Sequence, residues 1–197
     1  MEPYADLEAL RLEVLSCKRC PLGKTRNKPV FGEGNPNAKI FIIGEAPGRD
    51  EDLTGHPFVG RSGELLDKIF NACGFDRNEH LFISNIIKCR PPGNRIPLPA
   101  EVRECILYLY KQIEWINPTI MIMLGTSALS YMVDKNLKIS RERGNWLHQE
   151  NRWIMPVYHP SALLRNPSLK RDTWEDFKKI ILKYRELVNP EHYSKYI

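Results

Sequence analysis

Apolar residues recur along the chain in two rhythms. Four short runs, residues 39–43, 81–87, 119–124 and 153–158, are almost continuously apolar. Each is short for a buried helix, and each reads as a strand covered on both faces. Elsewhere the spacing lengthens to three and four residues. Leu7, Leu10 and Val14 share a face over residues 6–16, with Asp6 placed to cap that helix. Leu65, Leu66, Ile69 and Phe70 do so over residues 61–72, and Trp174, Phe177, Ile180, Ile181 and Tyr184 over residues 172–188. Residues 100–116 and 127–133 are two further helices. Residues 17–37, rich in Pro, Gly and Lys, and residues 90–99, with four prolines, read as loops. Residues 138–152 are a loop or hairpin entering the fourth strand.

Strands thus alternate with helices, which predicts an α/β fold: a three-layer α/β/α domain around a small, mainly parallel four-stranded sheet. No repeat or linker divides the chain. Residues 1–197 read as a single domain with an N-terminal cysteine-containing segment and a C-terminal helix.

In an open parallel sheet, ligands sit beyond the carboxyl ends of the strands. The first strand delivers Glu45 there, the second Asn85 and the fourth His159. The turn Gly44-Glu45-Ala46-Pro47-Gly48 holds backbone N–H groups in a fixed arc. It is neither a Walker loop nor G-x-G-x-x-G. Phe58 follows in a loop framed by Gly55, His56, Gly60 and Gly63. A loop aromatic beside a backbone-lined turn suits a flat ring such as a nucleobase. Singly, each residue has a plainer reading: Phe58 in the core, His159 bonded to a carbonyl, Asn85 as a turn residue or cap. Their arrival at one sheet edge from distant segments is what points to a site.

Composition changes the picture little. With 197 residues, 42% hydrophobic and 27% charged, the chain is of ordinary globular make-up. No run is long enough to span a membrane, and the N-terminus lacks the basic start and apolar core of a signal peptide, so the expectation is a cytoplasmic protein. The net charge of +5 permits a polyanionic partner without requiring one. Lys18, Arg19, Lys24, Arg26 and Lys28 lie between Cys17 and Val30 with no acid among them.

Cysteine changes it more. Cys17 and Cys20 form C-x2-C, a tight knuckle typical of thiolate metal sites, and Cys89 and Cys105 follow singly. The lone pair departs from the double knuckle of zinc sites, and Pro21 after Cys20 matches the Cys-Pro of iron–sulfur loops. Spacing favours a metal or cluster over free thiols and leaves zinc and iron–sulfur both open. Cys73 stands apart in a helical stretch and reads as an inert packed residue.

Read together, GEAPGRDED, GHPFVGRSGELLD, SNIIKCRPPGNRIPLPAE and HPSALLR resemble the iron–sulfur uracil-DNA glycosylases, the fourth family of that superfamily. The resemblance runs from Cys17 to about Arg165. It implies a [4Fe–4S] cluster on Cys17, Cys20, Cys89 and Cys105, and the α/β/α fold. It implies a monofunctional hydrolase that releases uracil from a nucleotide flipped out of DNA, leaving an abasic site for base excision repair. Phe58 would stack on the base, and Glu45, Ala46 and Pro47 would line the pocket. Asn85 would read the O4 and N3–H edge, and His159 would donate to O2 as the bond breaks. Ala46 stands where other glycosylases place an Asp or Asn to position water, which leaves Glu45 as the candidate. Leu163 or Leu164 would wedge into the vacated stack, with Ser161, Arg165 and the basic loop on phosphates. The implied partner is uracil-containing DNA, met by a monomer with no membrane contact. The alternative is a non-catalytic or uracil-DNA-capturing binding protein with a structural metal centre. Capture in such relatives uses a histidine in the loop matching residues 91–97, where this chain has none.

Overall fold

The computed structural model describes residues 3–197, and their side chains from residue 6. The first two residues of the N-terminal segment read above lie outside it. The sheet holds β1 (Glu33–Gly34), β2 (Ile40–Gly44), β3 (Leu81–Asn85), β4 (Ile120–Leu124), β5 (Leu147–Gln149) and β6 (Arg152–Val157). Their order is β1-β3-β2-β4-β6-β5. The four apolar runs form its parallel middle, β3-β2-β4-β6. Every residue of β2, β3 and β4 is buried, as double coverage requires.

Side chains alternate between two cores. Phe41, Ile43, Phe82, Met121 and Met123 face the layer of α1 (Pro3–Ser16), α4 (Pro99–Ile116) and α5 (Gly125–Met132). Ile40, Ile42, Ile83, Ile122 and Met155 face α3 (Arg61–Cys73) and α8 (Leu169–Leu187). Ile40 through Ile43 are all 0% exposed, and each such side chain contributes roughly 2 kcal/mol by leaving water. The three-layer α/β/α architecture is therefore as expected.

The sheet has six strands rather than four. Both additions are short, antiparallel edge strands without an apolar run to announce them. β5 joins β6 through Glu150 and Asn151, both at positive φ (49° and 63°), the two-residue turn that matches strand twist. Several boundaries also move. α1 begins at Pro3, so Asp6 lies in its first turn instead of capping it. The second strand ends at Asn85, beyond which Ile86 and Ile87 N–H groups donate to the Gly44 and Glu45 carbonyls. Three short helices interrupt segments read as irregular: α2 (Arg49–Thr54), α6 (Ile139–Glu142) and α7 (Pro160–Arg165).

The chain leaves β2 for β3 on one side and returns to β4 on the other, the reversal that opens a crevice at the carboxyl edge. At that edge Gly44 pairs with Asn85, and Leu124 with Val157. Among the described residues no helix is long and apolar enough to cross a membrane.

Candidate active site and cysteine centre

Gly44 is where the aromatic and the amide meet. A methyl group added there would lie 2.3 Å from Asn85 Oδ1 and 2.7 Å from Phe58 Cζ. The Phe58 ring lies 5.8 Å, centroid to centroid, from that of His159, inclined by 37°. Phe58, Asn85 and His159 therefore border one slot, and all three line a cleft of about 780 Å³. Asn85 is 2% exposed, yet its Oδ1 has no hydrogen-bond partner. A buried acceptor left unpaired costs about 1–3 kcal/mol, so this oxygen is set for a donor from outside the protein.

The Phe58 loop is held from several directions. Its φ of 53° is left-handed, a conformation that costs an aromatic residue roughly 1–3 kcal/mol unless its surroundings enforce it. Arg77 Nη2 donates to the Pro57 and Phe58 carbonyls at 2.8 and 3.3 Å. Gly63 lets α3 pass against the loop, since a Cβ there would fall 1.8 Å from the Phe58 carbonyl oxygen. Glu51 accepts from the N–H groups of Gly48, Val59 and Gly60 at 3.0, 3.0 and 3.1 Å, joining the first turn to this loop. Sequence reading missed Glu51. Its signal was a carboxylate three residues after a glycine that opens a helix, the reach-back of a capping box.

His159 ends the segment after β6. Its Nδ1 accepts from the Ser161 N–H at 3.1 Å and lies 2.8 Å from Ser161 Oγ. Burial pushes its pKa down to about 4, with Arg165 acting in the same direction and Glu51 against it. The ring is then neutral near pH 7. Because Nδ1 accepts, the proton sits on Nε2, leaving that nitrogen a donor. Ser161, expected on a phosphate, has its main-chain N–H and hydroxyl against this ring.

Glu45, Ala46 and Pro47 line the same cleft. Glu45 accepts a short hydrogen bond from the Ser127 hydroxyl. Arg165 is exposed at the rim. The two candidate wedge leucines separate. Leu163 is 1% exposed and locked in the interior, because α7 turns it inward against α3 and α8. Leu164 is only half-buried. The basic loop is also partly spent internally. Arg26 reaches Cys89 Sγ and the Cys17 carbonyl, and Arg19 lies 3.6 Å from Glu104, while Lys18 and Lys24 stay exposed.

Comparison with known proteins gives the arrangement its relatives. Residues 31–178 match the family described as the uracil DNA glycosylase superfamily. The chain is 42% identical to the type-4 uracil-DNA glycosylase of Archaeoglobus fulgidus, covering 89% of this chain and 92% of that one. It is 45% identical to the type-4 enzyme of Thermotoga maritima, covering 88% and 92%. The chain belongs to the uracil DNA glycosylase superfamily, among its type-4 members. The crystal structure of wild-type Pedobacter heparinus SMUG2 shares the fold, with a TM-score of 0.51 at 17% identity over 78% of this chain and 77% of that one.

This type-4 glycosylase also gathers the four cysteines that the spacing singled out. Cys17, Cys20, Cys89 and Cys105 line one small cavity between α1, α4 and the loop after β3. All are free thiols in the structure. Two sulfurs already have donors: Arg26 Nη1 lies 2.9 Å from Cys89 Sγ, and the Lys88 N–H 3.2 Å from Cys105 Sγ. Among the described residues, no three Cys, His, Asp or Glu side chains close on a point as ligands of a single ion do. Cys73 lies elsewhere, fully buried in the other core, with its thiol pushed up to about 12 by burial.

Proposed function

We propose that this protein hydrolyses the N-glycosidic bond of deoxyuridine flipped out of DNA, releasing uracil and leaving an abasic site. The observation that carries this reading is the convergence of Phe58, Asn85 and His159 on one slot with an orphaned amide oxygen inside it.

Phe58 stacks on the extruded pyrimidine. Asn85 takes the N3–H on its free Oδ1 and offers its NH2 to O4. Cytosine reverses both demands, having a bare N3 and a donor at the exocyclic position, so the same amide rejects it. Glu45, Ala46 and Pro47 form the pocket wall. As the bond to C1′ breaks, negative charge gathers on N1 and O2 of the leaving base, and the sugar becomes oxocarbenium-like. The Nε2–H of His159 points its charge stabilisation there, and a neutral donor in a dry pocket is already in place before the charge arrives. Water then attacks C1′. The Ser127 bond to one Glu45 oxygen orients that carboxylate and leaves its other oxygen to hold the water.

Outside the slot, Leu164 fills the gap left in the base stack, and Arg165 with Lys18 and Lys24 meets the phosphates. The partner is uracil-containing DNA, and the protein acts as a cytoplasmic monomer. Cys17, Cys20, Cys89 and Cys105 hold a [4Fe–4S] cluster. Four cysteines lining one cavity fit the cluster that the type-4 resemblance implies. Donors on two of the sulfurs suit the negative charge such thiolates carry. When bound, the cluster would supply a rigid tie between α1, α4 and the loop that follows Asn85.

An oligonucleotide with one deoxyuridine is the test. After incubation and alkali, the strand is expected to break at the uracil with wild type, and far less with Asn85→Ala or His159→Ala. Strands that stay intact with wild type would overturn the reading. A stable protein–DNA band in denaturing gels would favour the capturing alternative.

A further inference from the structure

Lys88 lies three residues beyond Asn85 and is 1% exposed. Lysine is among the residues least often buried, because an ammonium without water must find every partner in the protein. Here Nζ lies 2.6 Å from Ser84 Oγ, 2.9 Å from the Asn85 main-chain oxygen and 2.7 Å from Gln112 Oε1. The last two atoms only accept. Ser84 has a single proton and two acceptors of its own, the Phe31 carbonyl and Gln112 Oε1, each at 3.0 Å. Its oxygen therefore receives from Nζ as well, and the three donations use all three ammonium protons. Gln112 is in turn oriented by its Nε2, which donates to the Phe31 carbonyl at 2.9 Å. The main-chain N–H of Lys88 goes the other way, to Cys105 Sγ at 3.2 Å.

Nothing on the Asn85 side chain fixes the amide from the protein side, since its oxygen has no partner. Its place is set through its main chain. One side is held by the ladder to β2, where Asn85 pairs with Gly44. The other side is held by Lys88. The excision chemistry described above uses none of the Lys88 contacts, and a space-filling role would be met at lower cost by an apolar chain of the same length.

We infer that Lys88 is a positioning residue for Asn85: its ammonium, anchored on Ser84 and Gln112, holds the Asn85 main chain so that the amide meets the base edge. Its own N–H ties that position to the cysteine centre through Cys105. This rests on Asn85 as the base reader. A mispositioned transition-state contact costs far more in turnover than in substrate affinity, because the rest of the DNA contacts remain.

The test is a double-mutant cycle of Lys88→Met and Asn85→Ala in the cluster-loaded protein. Lys88→Met is expected to lower kcat by on the order of 10²-fold while KM moves less than about threefold. In the Asn85→Ala background it is expected to add less than about twofold, because it acts only through that amide. Binding gives a second readout. Preference for an oligonucleotide carrying uncleavable 2′-fluoro-deoxyuridine over one carrying deoxycytidine is expected to shrink in Lys88→Met, with iron content and visible absorbance per chain kept. Multiplying losses in the cycle, or wild-type kcat in Lys88→Met, would overturn the inference. Should Lys88→Met not fold, Gln112→Leu removes one anchor and enters the same cycle. A smaller kcat loss that vanishes beside Asn85→Ala supports the inference, and a multiplying loss overturns it. Failure of the wild type to release uracil would instead remove the proposed function itself.

Discussion

Gly44→Ala puts a single methyl group where the slot is narrowest. The new carbon would stand 2.3 Å from Asn85 Oδ1, 2.7 Å from Phe58 Cζ and 3.1 Å from Phe58 Cε2, where ordinary contact begins at 3.4 Å. Gly44 is not among the residues at positive φ, so alanine strains no backbone there. The clash must be relieved by the side chains. Asn85 and Phe58 are both buried, at 2% and 6% exposure, and both line the cleft, so relief moves them within the slot itself. Their displacement is about 1 Å, and a shift of that size in a transition-state contact costs on the order of 10²-fold in rate. That corresponds to about 2.7 kcal/mol of lost transition-state stabilisation. Overpacking should also cost about 1–3 kcal/mol of stability, which for a chain of this length lowers Tm by several degrees. Single-turnover excision of a deoxyuridine oligonucleotide, beside thermal unfolding of the same sample, measures both. A folded Gly44→Ala protein that cuts within about twofold of wild type would refute the reasoning, since 1 Å is too large a change for the slot to ignore.

Other outcomes follow from the same geometry. With the His159 pKa held at about 4, kcat/KM should show no acid break near the ordinary histidine value and should fall only as pH approaches 4. In the unfolded chain this ring titrates near 6.5, so protons favour unfolding. Its contribution to stability is full above that pH and declines by up to about 3 kcal/mol as pH drops toward 4, which acid titration of Tm would register. The two leucines should part company. Leu164→Ala should slow excision from duplex more than from single-stranded DNA. Leu163→Ala should act on stability, by about 2–5 kcal/mol in denaturant unfolding, because it empties a buried position. With the proposed cluster on the four cysteines, Cys105→Ala should lower iron and visible absorbance per chain, whereas Cys73→Ala should leave both unchanged.

The sheet was readable because its four central strands are buried on both faces, and such strands leave continuous apolar runs such as Ile40–Gly44. β1 and β5 were not, because two- and three-residue edge strands bury little and carry no pattern. At the site, residue types and strand ends were enough to bring Glu45, Asn85 and His159 to one edge, since topology alone dictates that placement. Local direction was not legible. Leu163 and Leu164 are adjacent and chemically alike, and only the turn of α7 decides which one is buried. Nor did the pattern show that the Ser161 N–H and hydroxyl face the His159 ring. Arg26 counted as surface charge from composition, but the fold turns it onto Cys89. Glu51, Arg77 and Lys88 were missed for one reason: each acts on the main chain of its neighbours, and main-chain contacts leave little trace in a one-dimensional pattern.

The most direct measurement is a crystal structure of the protein with free uracil soaked in. The account places the ring face against Phe58, its N3–H and O4 on the Asn85 amide and its O2 on Nε2 of His159. Uracil bound outside the Phe58 slot, or seated there with its polar edge turned away from Asn85, would contradict it.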